Sequence, residues 1–333
     1  MPSSFDGNDG NDGNAGNAGG AGNASSSSAG WFFADRVNLP LITTPDTGPN
    51  KPVPPVMIGD LPRIRISRFP DRNWSTEWYS WLALAEFART TWTANLPAQV
   101  GAEWPANIAT PAALAAMPQV LDWGLPALTP PGEVDELVTA AENERADALG
   151  EILSQSSEFV SYFLNLMSAR PASHPRTTQV LAIASLVGTM VAMHFKGLYA
   201  RPRPSQLCPA LLPPIEVPGH ASFPSGHSTQ AHLMALCMED VLTIRPAATP
   251  PTVQRGTTVE ALWTLADRIA RNREIAGLHY VSDSKAGVAV ARAIFALLKT
   301  DVPVGQNLMP ADPAGGPRSC YLRTVADAKK EWP

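Results

Sequence analysis

The chain has 333 residues, a formal charge of −5, 44% hydrophobic and 17% charged residues. That length holds one large domain or two smaller ones with a substantial core. No basic run is present, which argues against a nucleic-acid surface. Cys208, Cys237 and Cys320 are odd in number and lack metal-ligand spacing. A disulfide framework is therefore not expected and a reduced compartment is, with a single Cys208–Cys320 bridge as the alternative.

Residues 1–30 are low-complexity repeats of Gly, Asn, Asp, Ala and Ser. They carry too little apolar surface to offset ordering and are expected to be a disordered tail. The N-terminus has neither a basic region nor an apolar core of the secretory kind, so the expectation is a cytoplasmic protein, with export left open. Residues 31–130 form a Pro- and Trp-rich arm with helices. Ile64–Arg68 alternates and suggests a short strand. A helix is expected over Trp74–Thr93, and five of the nine tryptophans lie between Trp74 and Trp104. Such clustering points to core or a domain seam rather than a ligand box.

Residues 131–333 are assigned to one helical bundle. Glu133–Met167 has acidic first turns and helical apolar spacing, which predicts one long helix or two. Thr177–Phe195 is nearly uncharged, a turn short of a comfortable membrane span, and reads as a buried core helix. His227–Leu242, Val259–Arg271 and Asp283–Leu298 complete the set. Prolines crowd Arg201–Pro224, and no run reads as a sheet. The fold class is mainly α.

Three short stretches carry the chemistry. The first is Lys196-x6-Arg203-Pro204, whose Arg-Pro-Arg-Pro exit stiffens the backbone and aims a guanidinium. Lys196 alone would be a helix-end cation. The second is Pro224-Ser225-Gly226-His227, at a helix N-terminus where backbone N–H groups favour an anion. Alone it would be a serine cap with an exposed histidine. The third is Arg273, His279 and Asp283. Arg273 and His279 would not share a face of an unbroken helix, but Gly277 offers a break. His279 and Asp283, four apart, place a carboxylate to accept from one imidazole nitrogen and activate the other. Together these residues suit a site that holds phosphate, or an ion of its shape, for acid/base or nucleophilic chemistry. His220, seven residues before His227, is a candidate pocket residue. His194 and His232 read as core or flank, and His174 as a loop residue.

The order and spacing resemble the superfamily that joins type-2 phosphatidic acid phosphatases, class A nonspecific acid phosphatases and vanadium-dependent haloperoxidases. The resemblance covers about 196–283, with one departure: Asn272 stands where the family usually has Ser. It implies a helical bundle of the acid phosphatase/haloperoxidase type. It also implies that Lys196, Arg203, Ser225, Gly226 and Arg273 bind the oxyanion. His279 would be the nucleophile, giving a phosphohistidine; His227 would be the general acid/base and Asp283 would orient His279. As a phosphatase the protein would act on a small-molecule phosphate ester and need no cofactor or metal. As a haloperoxidase it would use halide and peroxide, with His279 as the ligand of vanadate.

Tyr199 and Arg201 extend the first stretch to a pattern similar to class A acid phosphatases, while the offset of His220 resembles bromoperoxidases. The preferred expectation is a phosphoric monoester hydrolase, followed by a haloperoxidase and then an integral-membrane lipid phosphatase. Membrane association is not expected, since only one weak span exists. A non-catalytic phosphate-binding protein is the alternative from another class; it would need neither His227 nor an oriented His279. The oligomeric state is left open.

Overall fold

A computed structural model describes residue 69 and residues 73–93, 132–242, 257–300, 307–308, 316–317 and 319–332. The expected tail, the Ile64–Arg68 strand, and the boundaries near 30 and 130 lie outside these residues, as do Trp104 and Trp123. The chain divides into two units, one of Gly20–Ser75 and a larger one that includes Thr76–Pro333. Within the first, the Phe69 ring meets Trp74 edge-on at 5.3 Å. The second holds all the helices described below.

Among the described residues there is no strand. The α-helices run α1 Thr76–Ala88, α2 Glu133–Asn143, α3 Arg145–Ser157, α4 Val160–Leu166, α5 Pro175–Tyr199, α6 Pro204–Leu207, α7 Gly226–Leu242, α8 Thr257–Ile275, α9 Val281–Leu298 and α10 Cys320–Ala328. Where one or two helices were expected over Glu133–Met167, three short ones form. Residue 144 separates α2 from α3, and extended backbone at Glu158 ends α3. The Glu158 carboxylate then accepts from the Ser161 N–H in the first turn of α4.

Helix α7 is the hub, packed against α5, α8 and α9. Helix α5 is apolar and long enough to cross a membrane by composition, yet most of it is buried within the bundle. Val180, Leu181, Ile183, Val187 and Val191 are fully enclosed, each contributing about 1.5–3 kcal/mol of burial. A polar interlock fixes the pairing of α5 with α7. Gln230 Nε2 donates to the Ser185 carbonyl (3.1 Å), the Ser185 hydroxyl (2.9 Å) and the Thr189 hydroxyl (2.8 Å).

Helix α10 was not anticipated, although Cys320, Tyr321, Thr324, Val325 and Ala328 follow a helical apolar rhythm and are buried. Ser319 caps it by accepting from the Leu322 N–H at 3.1 Å. Just beyond it, Glu331 accepts the Arg176 and Thr177 N–H groups at 2.8 Å each, capping the N-terminus of α5.

The tryptophan expectation needs correction. Trp92 is buried against Phe87 and His194, but Trp78 and Trp81 on α1 are 61% and 51% exposed. Helix α1 turns Tyr79, Ala83, Leu84 and Phe87 inward, and positions 78 and 81 fall on its other side. Cys208, Cys237 and Cys320 are all thiols rather than half-cystines. Burial pushes the Cys237 thiol up to about 12.

Candidate active site

The site lies where the end of α5, the start of α7 and the α8–α9 junction meet. Helix α5 runs one turn further than Phe195, so Lys196 lies within it. It ends at Ala200 in the left-handed region, before the prolines. Arg201 and Arg203 then follow on extended chain. Segment 220–222 holds the charged groups of Lys196 and Arg203 and the backbone of Arg201. Lys196 Nζ donates to the carbonyls of Ala221 (2.9 Å) and Ser222 (3.0 Å). Arg203 Nε donates to the His220 carbonyl at 3.0 Å. The Arg201 carbonyl accepts the Ser222 N–H at 2.8 Å. Lys196, Arg201 and Arg203 are nearly inaccessible, so their charges act in a low-dielectric setting.

Gly277 supplies the break between Arg273 and His279. At φ +77° it closes α8 as a Schellman end, with Leu278 N–H bonded to the Arg273 carbonyl (3.0 Å) and Gly277 N–H to that of Glu274 (2.8 Å). His279 therefore precedes α9 instead of lying one helical turn before Asp283. The contact arises because Asp283 folds back over the first turn of α9. Its Oδ2 accepts the Tyr280 N–H at 3.1 Å and lies 3.1 Å from His279 Nδ1.

His279 Nδ1 donates to Asp283 Oδ2, and its Nε2 stands 3.0 Å from Arg203 Nη1. Ser222 also donates to Asp283 Oδ2. Burial alone would raise the Asp283 pKa, but the Arg201 guanidinium and the His279 and Ser222 hydrogen bonds outweigh it and hold the carboxyl well below the usual range.

Helix α7 begins at Gly226 behind a cis Phe223–Pro224 peptide. Ser225 Oγ accepts the Ser228 N–H at 3.3 Å, so it caps the helix as well as offering a hydroxyl hydrogen. The Ser225 N–H donates to the Asp283 carbonyl at 3.0 Å, joining the starts of α7 and α9. Gly226 and His227 contribute first-turn backbone N–H groups.

His227 and Arg273 meet α3. His227 Nε2 donates to the Gln155 carbonyl at 3.1 Å, and its ring stacks on Phe159 at 5.0 Å. Arg273 Nη2 donates to the Ile152 carbonyl at 2.9 Å, one turn away. Asn272 keeps α3 in place, its Nδ2 donating to Gln155 Oε1 and Glu151 Oε2 at 2.9 Å each.

His220 is half-buried at this site, with Nδ1 3.0 Å from Arg203 Nη2. Tyr199 is buried at the end of α5, edge-on to Phe223 at 4.9 Å. Arg201 is placed differently from a pocket residue: it is fully buried, bridging Asp283 Oδ1 (2.7 Å) and Glu133 Oε2 (2.9 Å) with its guanidinium 3.8 Å over the Tyr280 ring. His232 pairs with Asp267 at 3.0 Å and donates to the Ser228 carbonyl at 2.7 Å, and His194 and His174 pack against tryptophans.

Glu133, Ser222, Gln155 and Ile152 escaped the sequence reading. The two carbonyls carry no side-chain signal, and Glu133 looked like an ordinary first-turn acid. Four permanent cations, Lys196, Arg201, Arg203 and Arg273, thus meet the carboxylates of Glu133 and Asp283, while the buried Glu274 is paired with Arg271, and the remaining excess of positive charge favours an oxyanion.

Residues 178–304 match the family model described as the PAP2 superfamily. Two curated relatives are named decaprenylphosphoryl-5-phosphoribose phosphatase, from Mycobacterium tuberculosis strains CDC 1551 / Oshkosh and ATCC 25618 / H37Rv. Each is 28% identical over 177 residues, covering 51% of this chain and 90% of the relative.

Proposed function

We propose, from the match of residues 178–304 to the PAP2 superfamily model, that this protein is a phosphoric monoester hydrolase working through a phosphohistidine. The observation that carries the proposal is the line from Asp283 through His279 to Arg203, with a carboxylate on one ring nitrogen and a guanidinium at the other. With Nδ1–H donated to Asp283, the lone pair of Nε2 is the nucleophile, and Arg203 is the cation beside it that receives phosphate oxygens.

Lys196, Arg203, Arg273, Ser225 and the Gly226 N–H neutralise charge on the phosphoryl oxygens. Nε2 of His279 forms a bond to phosphorus as the ester P–O bond breaks. The leaving oxygen takes a proton from His227. Because the Gln155 carbonyl holds Nε2–H of His227, proton exchange falls to its Nδ1. Water then attacks phosphorus, yields its proton to His227, and the N–P bond breaks to release phosphate. Two relatives named as phosphatases support a phosphate ester as substrate.

Turnover of p-nitrophenyl phosphate by the wild type and by His279→Ala tests this, together with acid-labile, alkali-stable phosphate on the quenched wild-type protein. We expect both signals to vanish in the variant. Turnover that survives His279→Ala rejects the nucleophile.

One observation favours a second reading, halide oxidation: Nδ1 of His220 contacts Arg203 at 3.0 Å. The same buried cations and His279 Nε2 suit vanadate, which when held there would supply peroxide activation. Bromide oxidation with peroxide after vanadate loading, blocked by phosphate, would support it. Vanadate that only inhibits the phosphatase leaves the first reading alone.

A further inference from the structure

We infer that Glu133, at the start of α2 and outside the matched family segment, is a positioning residue for the nucleophilic histidine. The inference rests on the phosphatase reading above. Its basis is how four hydrogen-bonding atoms are divided. A guanidinium facing a carboxylate prefers a two-pronged fork that occupies both oxygens. Arg201 does not fork on Asp283. Nη1 takes Oδ1 at 2.7 Å, while Nη2 is drawn off to Glu133 Oε2 at 2.9 Å. Oδ2 of Asp283 is thereby kept for His279 Nδ1 and the Ser222 hydroxyl. Glu133 decides which oxygen the histidine receives.

Glu133 is itself held rigidly. Its Oε1 accepts the Ser282 N–H at 2.7 Å and its Oε2 the Ser282 hydroxyl at 2.9 Å. That carboxylate therefore caps α9 one residue before Asp283, while Arg201 Nη1 also donates to the Ser282 hydroxyl at 2.7 Å. Stacking on Tyr280 fixes the guanidinium plane. Without the Glu133 charge, the fork on Asp283 becomes the better arrangement for Arg201, and His279 loses exclusive use of Oδ2. None of the groups assigned to phosphate contacts Glu133, so its loss affects the reacting nitrogen rather than the affinity for ester.

The test is Glu133→Gln, which keeps the shape and the acceptor for the Ser282 N–H but removes the charge, alongside Arg201→Lys, which keeps the charge and removes the fork. For Glu133→Gln we expect kcat on p-nitrophenyl phosphate to fall about 10- to 100-fold, the range for partners that orient a reacting ligand. KM should stay within about twofold. Ring 15N–1H spectra of the six histidines, assigned with His279→Ala, should show His279 leaving its single Nδ1–H tautomer while the His227 signals stay put. If Glu133→Gln does not fold, Arg201→Lys is read by the same two measurements.

A folded variant with wild-type kcat and an unchanged His279 tautomer overturns the inference. So does a fall in kcat accompanied by shifts across all the histidines, which would mark a loss of packing only. The spectra need no turnover. If the phosphatase reading fails, through His279→Ala retaining activity, that is seen separately from the response of the tautomer to Glu133.

Discussion

Nη1 of Arg203 lies 3.0 Å from Nε2 of His279, while Nδ1 on the other side of the same ring donates to Asp283. The proposed nucleophile and the proposed phosphate-binding guanidinium are thus neighbours before any ester arrives. Arg203 is also anchored by the carbonyls of His220 and Leu278, each at 3.0 Å. Its guanidinium plane is oriented in advance. Arg203→Lys keeps the charge but not the fork, and kcat/KM on p-nitrophenyl phosphate is expected to fall about 100-fold. A loss below fivefold would mean that Arg203 acts as a bulk charge only.

Asn272 reaches both Glu151 and Gln155 of α3. The Gln155 carbonyl in turn orients His227. Asn272→Ala should cost about 1–2 kcal/mol of stability and weaken the acid more than the nucleophile. Alkyl phosphates, whose leaving groups need the proton, should therefore lose more activity than p-nitrophenyl phosphate. Equal losses on both substrates would contradict a link from Asn272 to His227.

Close approach of α9 to α7 depends on Gly287. A methyl there would sit 2.7 Å from Ser228 Cβ and 3.0 Å from the Ser225 carbonyl. Gly287→Ala should destabilise by about 1–3 kcal/mol through overpacking and push the 225–228 turn outward. Thermal unfolding and KM are the measurements. An unchanged melting temperature with unchanged KM would show that the helices have slack that this packing denies.

Asp283 gives a pH dependence of defined sign. Its carboxyl is depressed in the folded state, so the unfolded chain takes up the proton first. The stabilisation is complete above about pH 4 and drains away as pH falls below it. Asp283→Asn leaves Arg201 buried without one of its charges and should cost about 3 kcal/mol at pH 6. In urea unfolding, the gap to wild type should narrow from pH 6 to pH 3.5. A gap that widens on acidification would reverse the assignment of Asp283 as a stabilising carboxylate.

Particular residues show why some of the site was readable and some was not. Lys196, Arg203 and His279 are polar groups in apolar or Pro-rich surroundings, a local mismatch that propensity alone cannot explain. Gly277 marked its own break, since a left-handed helix end asks for glycine. Glu133 gave no such sign, because an acid in a first helical turn is already explained by the dipole. The exposure of Trp78 and Trp81 was equally hidden. Aromatic clustering reports apolar content, and only the packing of α1 decides which face is covered.

Sequence by itself determined the helical periodicities, the helix-ending glycine and prolines, and the inventory of cations, imidazoles and carboxylate, because each follows from forces acting within a few residues. Tertiary structure alone decided that segment 220–222 would hold the charged groups of Lys196 and Arg203 and the backbone of Arg201, and that α3 carbonyls would hold His227 and Arg273. It also decided that Arg201 would divide its guanidinium between Glu133 and Asp283. Those partners are backbone oxygens or distant acids. What joins them is the need of buried charges and donors to find acceptors once the bundle has closed, and that need has no address in the linear chain.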